Sequence, residues 1–259
     1  MQLWRENSRV GRTGAALLLV ALLGACASSV PEDQRSESDP WETLNRSIYS
    51  FNTNVDKATL KPLAKGYEKV IPNPVRRGIS NFFRNLGTPA SSVNNFLQGK
   101  PSRGFSELGR FVFNSTLGVG GIFDVATAGG LEAQFEDFGQ TAAVWGVPDG
   151  PYVMIPFMAP STLRDTLLFP LFIVSSPLYH YDNTSVRDKL YVLRAIDVRA
   201  RLLPAEKILE ESKDPYITLR ESYLQNREYE IYDGEPPEQE DEFYDEFLEE
   251  EYLEEDETG

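Results

Sequence analysis

Residues able to do chemistry are few in this chain. It has a single histidine, His180, and a single cysteine, Cys26. A Ser-His-Asp triad would need His180 as its base, but no motif surrounds it, which favours an interfacial ring between two tyrosines. The adjacent carboxylates of Glu136 and Asp137 could act as acid and base, but neighbouring side chains point apart on most backbones. An ordinary zinc site needs several histidines or cysteines, which this chain lacks. Since no motif for catalysis is present either, the sequence predicts no catalytic residue, no metal and no cofactor.

Residues 117–122 (Leu-Gly-Val-Gly-Gly-Ile) form a glycine-rich segment that could cradle a phosphate. The dinucleotide-binding fingerprint requires a third glycine, and Phe123 stands in its place. Glycine also lets two helices reverse direction closely, since it has no Cβ. The sequence therefore favours a tight turn over a phosphate-binding loop.

The N-terminal residues have the plan of a secretory signal, with three arginines, an apolar run over residues 15–23 and small residues before Cys26. The run has about nine residues, whereas a helix that crosses a bilayer needs roughly twenty. Leu23-Gly24-Ala25-Cys26 matches the site at which a lipoprotein signal peptidase cleaves before an acylated cysteine. An ordinary cleavage site is the alternative, but Cys26 has no second cysteine to pair with. We therefore predict a signal peptide over residues 1–25 and a lipid anchor at Cys26.

The formal charge of −15 is unevenly distributed along the chain. The signal contributes +2 and residues 235–259, with 14 acidic and no basic residues, contribute −14, which leaves −3 for the body. A nearly neutral body does not favour nucleic-acid binding. Residues 26–40 are polar and suit a flexible tether, and residues 234–259 are expected to be an acidic disordered tail. A short segment that binds a basic partner is the alternative for this tail.

The body, residues 41–233, is predicted to be mainly α-helical. Apolar residues from Leu44 to Val55 recur at spacings of three and four, which places them on one helix face. Asn73 and Pro74 begin a second helix that ends at Gly87, because proline is tolerated at the first helical position. Further helix candidates are residues 89–97, 102–117, 162–174, 185–202, 204–212 and 215–232. Only residues 150–157, with two prolines, are predicted to be extended, at a sheet edge or in a hairpin.

Apolar side chains are abundant although no segment of the body is long enough to span a membrane. The most apolar stretch, residues 166–178, is short and contains two prolines. Residues 105–145 are dense in aromatic side chains, which settle well at membrane interfaces. These features predict interfacial helices partly inserted in one leaflet, and a soluble helical core is the alternative. Arginines within residues 76–84 and 187–201 could bind lipid phosphate or pair with local carboxylates.

A series of different short motifs lies along residues 39–225, which is nearly the whole body. They are residues 39–42 (Asp-Pro-Trp-Glu), 45–52 (Asn-Arg-Ser-Ile-Tyr-Ser-Phe-Asn), 81–86 (Asn-Phe-Phe-Arg-Asn-Leu), 96–99, 118–124, 150–157, 161–165 and 212–216 (Ser-Lys-Asp-Pro-Tyr). Together they resemble the MlaA (VacJ) family of outer-membrane lipoproteins. The absence of an aspartate directly after Cys26 also resembles lipoproteins sorted to the outer membrane. The chain departs from the family pattern after Val55 and in its strongly acidic tail.

The resemblance implies a ring-like bundle of amphipathic and interfacial helices around a central channel, held in the inner half of the outer membrane by trimeric porins. Such a protein removes mislocalised phospholipids from the outer leaflet and passes them to the periplasmic carrier MlaC. It maintains lipid asymmetry and is not an enzyme. A non-conducting adaptor that supports envelope integrity stays open as the alternative.

Candidate site residues follow from the resemblance. The residues expected to line the channel lie on the first helix, where asparagine can donate and accept hydrogen bonds without the desolvation cost of a charge: Asn45, Phe51, Asn52 and Asn54. The residues expected to form a gating loop are Gly150, Pro151, Tyr152, Pro156 and Phe157. Arg164 is predicted to contact a phospholipid headgroup, and an ion pair with Asp165 is the alternative.

Overall fold

The structure, a computed structural model, describes residues 36–237. The predicted signal peptide, Cys26 and the tail beyond residue 237 lie outside this range. Within it the elements are α1 (Glu42–Ala58), α2 (Leu60–Val70), α3 (Asn73–Leu97), α4 (Pro101–Thr116), α5 (Val125–Ala128), α6 (Phe138–Val144), β1 (Tyr152–Met154), β2 (Pro160–Thr162), α7 (Leu163–Ser175), α8 (Thr184–Leu202), α9 (Glu206–Glu211) and α10 (Pro215–Ile231). The predicted mainly α class with one short extended hairpin is confirmed.

The folded domain begins before Trp41. The side chain of Asp39 is fully buried, and the backbone N–H of Tyr152 donates to the carbonyl of Ser38 at 2.8 Å. Residues 36–40 therefore belong to the domain and not to the tether in which the sequence had placed them. A buried carboxylate fixed by hydrogen bonds cannot be part of a flexible linker.

The first helix, α1, has a buried stripe that contains Glu42, Asn45 and Ile48. Their spacing of three places them on one face of the helix. Glu42 lies in the first turn, where a negative charge suits the positive end of the helix dipole, and it pairs with Arg46 at 2.7 Å. Polar groups thus take most of the buried face.

The long helix α3 continues through Gly87 and Pro89 to Leu97. The prediction of two helices divided at Gly87 was wrong, because an internal proline removes only one backbone hydrogen bond when packing holds the helix together. Packing against α4 does so here, since the hydroxyl of Ser92 donates to the carbonyl of Gly104 at 2.8 Å. A Cβ at Gly104 would come within 2.8 Å of the Phe96 ring, so the two helices approach closely at this glycine.

The helix α2 and the two short helices α5 and α6 were not predicted. Pro62 and Gly66 lie inside α2, and both residue types normally indicate a break. Tertiary packing overrides that local signal, because α2 lies against α8 and contributes the buried Ala64. Short helices such as α5, with four residues, carry too little periodicity to be recognised from a sequence.

The extended segment is a two-stranded antiparallel hairpin in which Tyr152 faces Thr162 and Met154 faces Pro160. Proline has no backbone N–H to donate, and Pro160 is tolerated because within residues 36–237 no third strand pairs with this sheet. Thr162 then begins α7 by accepting a hydrogen bond from the N–H of Asp165 on its hydroxyl. The hairpin and α7 are therefore joined without a loop.

The chain divides into a compact unit that ends at Tyr223 and a second unit that starts at Leu224. The second unit contains the last turns of α10, where Arg227 donates to Glu230 at 3.0 Å. Within residues 36–237, none of the helices combines the length and the apolar character needed to cross a membrane.

Candidate membrane-facing site

The polarity of the first unit is inverted on α4. The residues Phe105, Leu108 and Val112 are exposed and share one helix face, with 67% of Phe105 accessible to solvent. Glu107 and Arg110 lie on the opposite face and are buried. A helix in a water-soluble protein has the reverse arrangement, so the outer face of α4 is suited to hydrocarbon.

The buried polar side of α4 is satisfied by the segment that follows it. The carboxylate of Glu107 accepts a hydrogen bond from the N–H of Gln134 at 2.7 Å, and burial raises its pKa. Arg110 lies 3.3 Å from the carboxylate of Asp124, which also accepts from Asn114 at 3.0 Å. Because these groups have partners within the protein, they can be buried at low cost.

The same inversion holds over the whole described range. Among residues 36–237, the buried side chains comprise ten hydrophobic and twenty polar or charged residues. The exposed large apolar side chains of residues 93–147, which we call the apolar surface, are Val93, Phe96, Leu97, Phe105, Leu108, Val112, Phe113, Leu117, Val119, Ile122, Phe123, Phe135, Val144, Trp145 and Val147. Soluble monomers rarely expose apolar groups on this scale, so the apolar surface is the main candidate for contact with lipid.

Two asparagines of α1 hold the hairpin. Asn45, 1% exposed, donates to the carbonyl of Tyr152 at 3.0 Å and accepts from the N–H of Met154 at 2.9 Å. About two turns further along α1, Asn52 donates to the carbonyl of Ile155 at 2.9 Å and accepts from the N–H of Phe157 at 2.8 Å. The predicted lining and the predicted gating loop therefore contact each other directly.

This geometry revises the role of Asn45. Both ends of its amide are used by the hairpin and by Asp39, whose carboxylate accepts at 2.7 Å, so it offers nothing to a lumen. Phe51 packs edge to face on Phe157 at 5.1 Å, and Asn54 is exposed. A lining role for Phe51, Asn52 and Asn54 stays a prediction.

The gating loop contains one strained position. Phe157 has a φ of 63° and is largely exposed, although a bulky side chain is disfavoured in this backbone conformation. The hydrogen bond from its N–H to Asn52 and the ring contact with Phe51 hold it there. Gly150, at the other end of the loop, also has a positive φ of 66°, which glycine adopts without strain.

Arg164 does not meet solvent or lipid. Its side chain is 2% exposed and forms ion pairs with Asp149 and, at 3.0 Å, with Asp165. It also donates to the carbonyl of Val147 at 3.3 Å. The structural pair with Asp165 is present, and the buried position of Arg164 does not favour the predicted headgroup contact.

Sequence reasoning missed the group around Asp39. Its carboxylate accepts hydrogen bonds from the hydroxyl of Tyr216 and, at 3.3 Å, from Arg220. Burial and the bond to Asp39 raise the pKa of Tyr216. These residues join the start of the domain to α10 over a long sequence separation, and no local pattern could have indicated the pairing.

The other residues considered for catalysis or metal binding form contacts that stabilise the fold. Glu136 accepts from Lys100 at 3.0 Å, and Asp137 caps α6 through a capping box with Gln140. The ring of His180 contacts Tyr179 and the carbonyl of Val174. Among residues 36–237, no group of three or more His, Cys, Asp or Glu side chains could hold a metal ion.

The glycine-rich segment forms a tight turn, as the sequence favoured. A Cβ at Gly118 would lie 2.1 Å from the carbonyl oxygen of Phe123, and one at Gly121 would lie 2.5 Å from the Cβ of Asn85. Both positions thus require glycine because backbone or side chain atoms approach closely. The turn packs against α3 and does not form an open loop.

An apolar cavity of about 340 Å³ lies between α3 and α8. Its lining combines Phe82 and Leu86 of α3 and Val186 and Leu190 of α8 with three residues that precede α8, namely Pro177, Leu178 and Tyr181. Of the residues that the structure describes, no charged one lines this cavity. It is therefore suited to a hydrocarbon chain and not to a polar molecule.

Comparisons with known proteins agree with this picture. The profile of the MlaA lipoprotein family matches residues 37–230. The chain is 39% identical over 225 residues to the intermembrane phospholipid transport system lipoprotein MlaA of Escherichia coli (strain K12), which covers 84% of this chain and 88% of that protein. The protein of the same name from Haemophilus influenzae is 32% identical over 243 residues, or 91% of this chain and 96% of the relative.

A solved structure is also similar. It was determined in work on the structural basis for maintenance of bacterial outer membrane lipid asymmetry, and it superposes with a TM-score of 0.64 at 38% identity. The superposition covers 76% of this chain and 100% of the solved one. Together with the matched family profile and the shared length, this shows that the chain belongs to the MlaA lipoprotein family.

Proposed function

We propose that this protein is an outer-membrane lipoprotein that removes mislocalised phospholipids from the outer leaflet and so maintains lipid asymmetry. The observation that carries the proposal is the inverted polarity, with polar groups buried and the apolar surface exposed. A protein of this kind is stable where hydrocarbon covers its outside. The relatives named as parts of an intermembrane phospholipid transport system support the assignment.

Insertion in a single leaflet accounts for the length and the exposed apolar face of α4. A helix rises about 1.5 Å per residue, so α4 with 16 residues is about 24 Å long and shorter than the roughly 30 Å of a hydrocarbon core. Helices that lie in one leaflet can bury an apolar face without crossing. The lipid anchor predicted at Cys26 would hold the domain at the periplasmic leaflet.

We assign the apolar cavity to the acyl chains of the transported lipid. Its seven lining residues include the aromatic rings of Phe82 and Tyr181 and carry no charge, as a hydrocarbon chain requires. The hairpin loop, held by Asn45 and Asn52, would gate the headgroup. The lipid would leave to a periplasmic carrier of MlaC type, and a trimeric porin would position the protein.

The transport path can be tested by filling the cavity. Val186→Trp should block the cavity, because Val186 lines it. Val186 is also partly exposed, so the indole ring of the variant can occupy the cavity without disturbing the protein core. The matched control is Val192→Trp on the same helix, since Val192 is exposed and does not line the cavity. Each variant would be expressed in Gram-negative cells that lack their own copy of the protein.

The measurement is the amount of phospholipid in the outer leaflet, detected by labelling intact cells with an impermeant amine reagent. We expect Val186→Trp to raise it to the level of cells without the protein and Val192→Trp to leave it at the parental level. If both variants keep normal asymmetry while accumulating normally in the membrane, the cavity does not conduct lipid. A variant without effect on asymmetry but with a leaky envelope would favour a non-conducting adaptor instead.

A further inference from the structure

A second cleft, of about 280 Å³, lies between the N-terminal half of α3 and the C-terminal end of α8. Four arginines line it, and within the described residues Asp197 is the only carboxylate in its lining. The arginines are Arg76, Arg77, Arg84 and Arg201. We call this site the arginine cleft, and its lining has an excess of positive charge.

Within the described residues, two of the four guanidinium groups form no ion pair. Arg77 and Arg84 are exposed. Within residues 36–237, Arg77 has no hydrogen bond or ion pair, and Arg84 donates only to the side-chain carbonyl of Asn81, at 2.5 Å. Their remaining N–H groups are free to bind an anion.

The carboxylate of Asp197 is already satisfied. It accepts hydrogen bonds from the hydroxyl of Ser80 at 2.8 Å and from that of Tyr67 at 3.0 Å, and it lies 3.4 Å from Arg201. Burial and the bond to Asp197 raise the pKa of Tyr67 to about 12, so its hydroxyl remains a donor. Asp197 is 2% exposed and thus forms the floor of the cleft.

The start of α3 adds to the positive field. Arg76 and Arg77 lie in its first turns, and the first turn contains no acidic residue. Cations at this end of a helix are disfavoured by the helix dipole. Arg76 is compensated by Glu68 at 2.7 Å, although its Nε is buried without a hydrogen-bond partner. A bound anion would offset the rest of the repulsion.

We propose that the arginine cleft binds the phosphate group of an anionic phospholipid at the membrane surface. Arginine pairs bidentately with phosphate oxygens, and the cleft is large enough for a phosphate ester with a small headgroup. Val75 and Leu202 are exposed and are the sequence neighbours of the lining residues Arg76 and Arg201, which would bring apolar groups near the acyl region. The site is separate from the apolar cavity and does not require the chain to conduct lipid.

The test uses the full acylated chain in dodecyl maltoside and fluorescent phosphatidylglycerol, with binding followed by anisotropy. The variant is Arg77→Gln combined with Arg84→Gln, which removes the two guanidinium groups that form no ion pair. The matched control is Lys189→Gln combined with Lys207→Gln, which removes the same charge at two exposed positions outside the cleft. Circular dichroism verifies the fold of each variant.

We expect the cleft variant to lose about tenfold or more in affinity, since two charge-assisted hydrogen bonds are removed, and the control to change by less than about twofold. Inorganic phosphate should displace the lipid only weakly. Equal losses in both double variants would mean nonspecific charge attraction and would overturn the proposal, as would unchanged binding. Displacement by inorganic phosphate at the same concentration as lipid would reject a lipid ligand. None of these results depends on whether the cavity variant blocks transport.

Discussion

Asn45 and Asn52 each use both ends of a side-chain amide, as donor and acceptor, on the backbone of the hairpin. A two-stranded hairpin is marginal by itself, because it leaves unpaired backbone groups on both edges. The two asparagines satisfy some of these groups from α1. The position of the loop is therefore set by residues that are more than a hundred positions away in sequence.

Asn45→Ala should destabilise the protein by about 2 to 4 kcal/mol, since the carbonyl of Tyr152 and the N–H of Met154 would be buried without partners. Asn54→Ala on the same helix is the control and should change stability by less than about 0.5 kcal/mol, because Asn54 is exposed. Urea unfolding in detergent measures both. Equal stabilities for the two variants would remove the structural role assigned to Asn45.

At this scale the structure gives several of the residues singled out from the sequence contacts that the sequence did not indicate. Asparagines of the first helix and residues 150–157 were singled out, and the structure brings them together. Arg164 was predicted to contact a headgroup because arginine pairs with phosphate, and an ion pair with Asp165 was the alternative. Its partner Asp149 lies in a loop, and no helical or strand periodicity predicts that contact.

At the scale of elements, α10 depends on Asp214. This carboxylate accepts from the N–H of Tyr216 at 3.0 Å as a helix cap and lies 2.8 Å from Arg46 of α1. The hydrogen bond from Arg46 lowers the pKa of Asp214. Arg46 also stands over the ring of Tyr216 at 4.5 Å, so one arginine connects α1 with the start of α10.

A lowered pKa makes part of the stability depend on pH. The contribution of Asp214 is fully present above its unfolded pKa of about 3.9 and is lost as the pH falls through the lower folded value. Asp214→Asn keeps a capping side chain but removes the charge, so unfolding should become less sensitive to pH between about 5 and 2. The comparison is Asp188→Asn, at an exposed aspartate. An unchanged acid slope in Asp214→Asn would contradict the ion pair.

The elements themselves were largely predictable where periodicity was long. The spans of α1, α4, α8 and α10 agree with the predicted helices to within a few residues. Glycine and proline misled the prediction in α2 and α3, because a local breaker is overruled when a neighbouring helix supplies compensating contacts. The start of the domain was also missed, since the burial of Asp39 depends on residues from α10.

At the scale of the molecule, composition alone left two explanations for the apolar residues, a soluble core or contact with lipid. Aromatic residues at helical spacing occur in both. The structure separates them through α4, where the apolar face is outside and the polar face inside. The sequence favoured insertion in one leaflet and kept a soluble core as the alternative, because periodicity shows that a helix has two faces but not which one is buried.

The central claim, that the apolar surface lies in hydrocarbon, is tested most directly at Trp145. From Cys26 onward the chain has two tryptophans, Trp41 and Trp145, and Trp145 is 63% exposed within the apolar surface. In Trp41→Phe protein reconstituted into vesicles, phospholipid brominated along its acyl chains should strongly quench the fluorescence of Trp145, and acrylamide should quench it weakly. Strong quenching by acrylamide with none by the brominated lipid would place Trp145 in water and contradict the account.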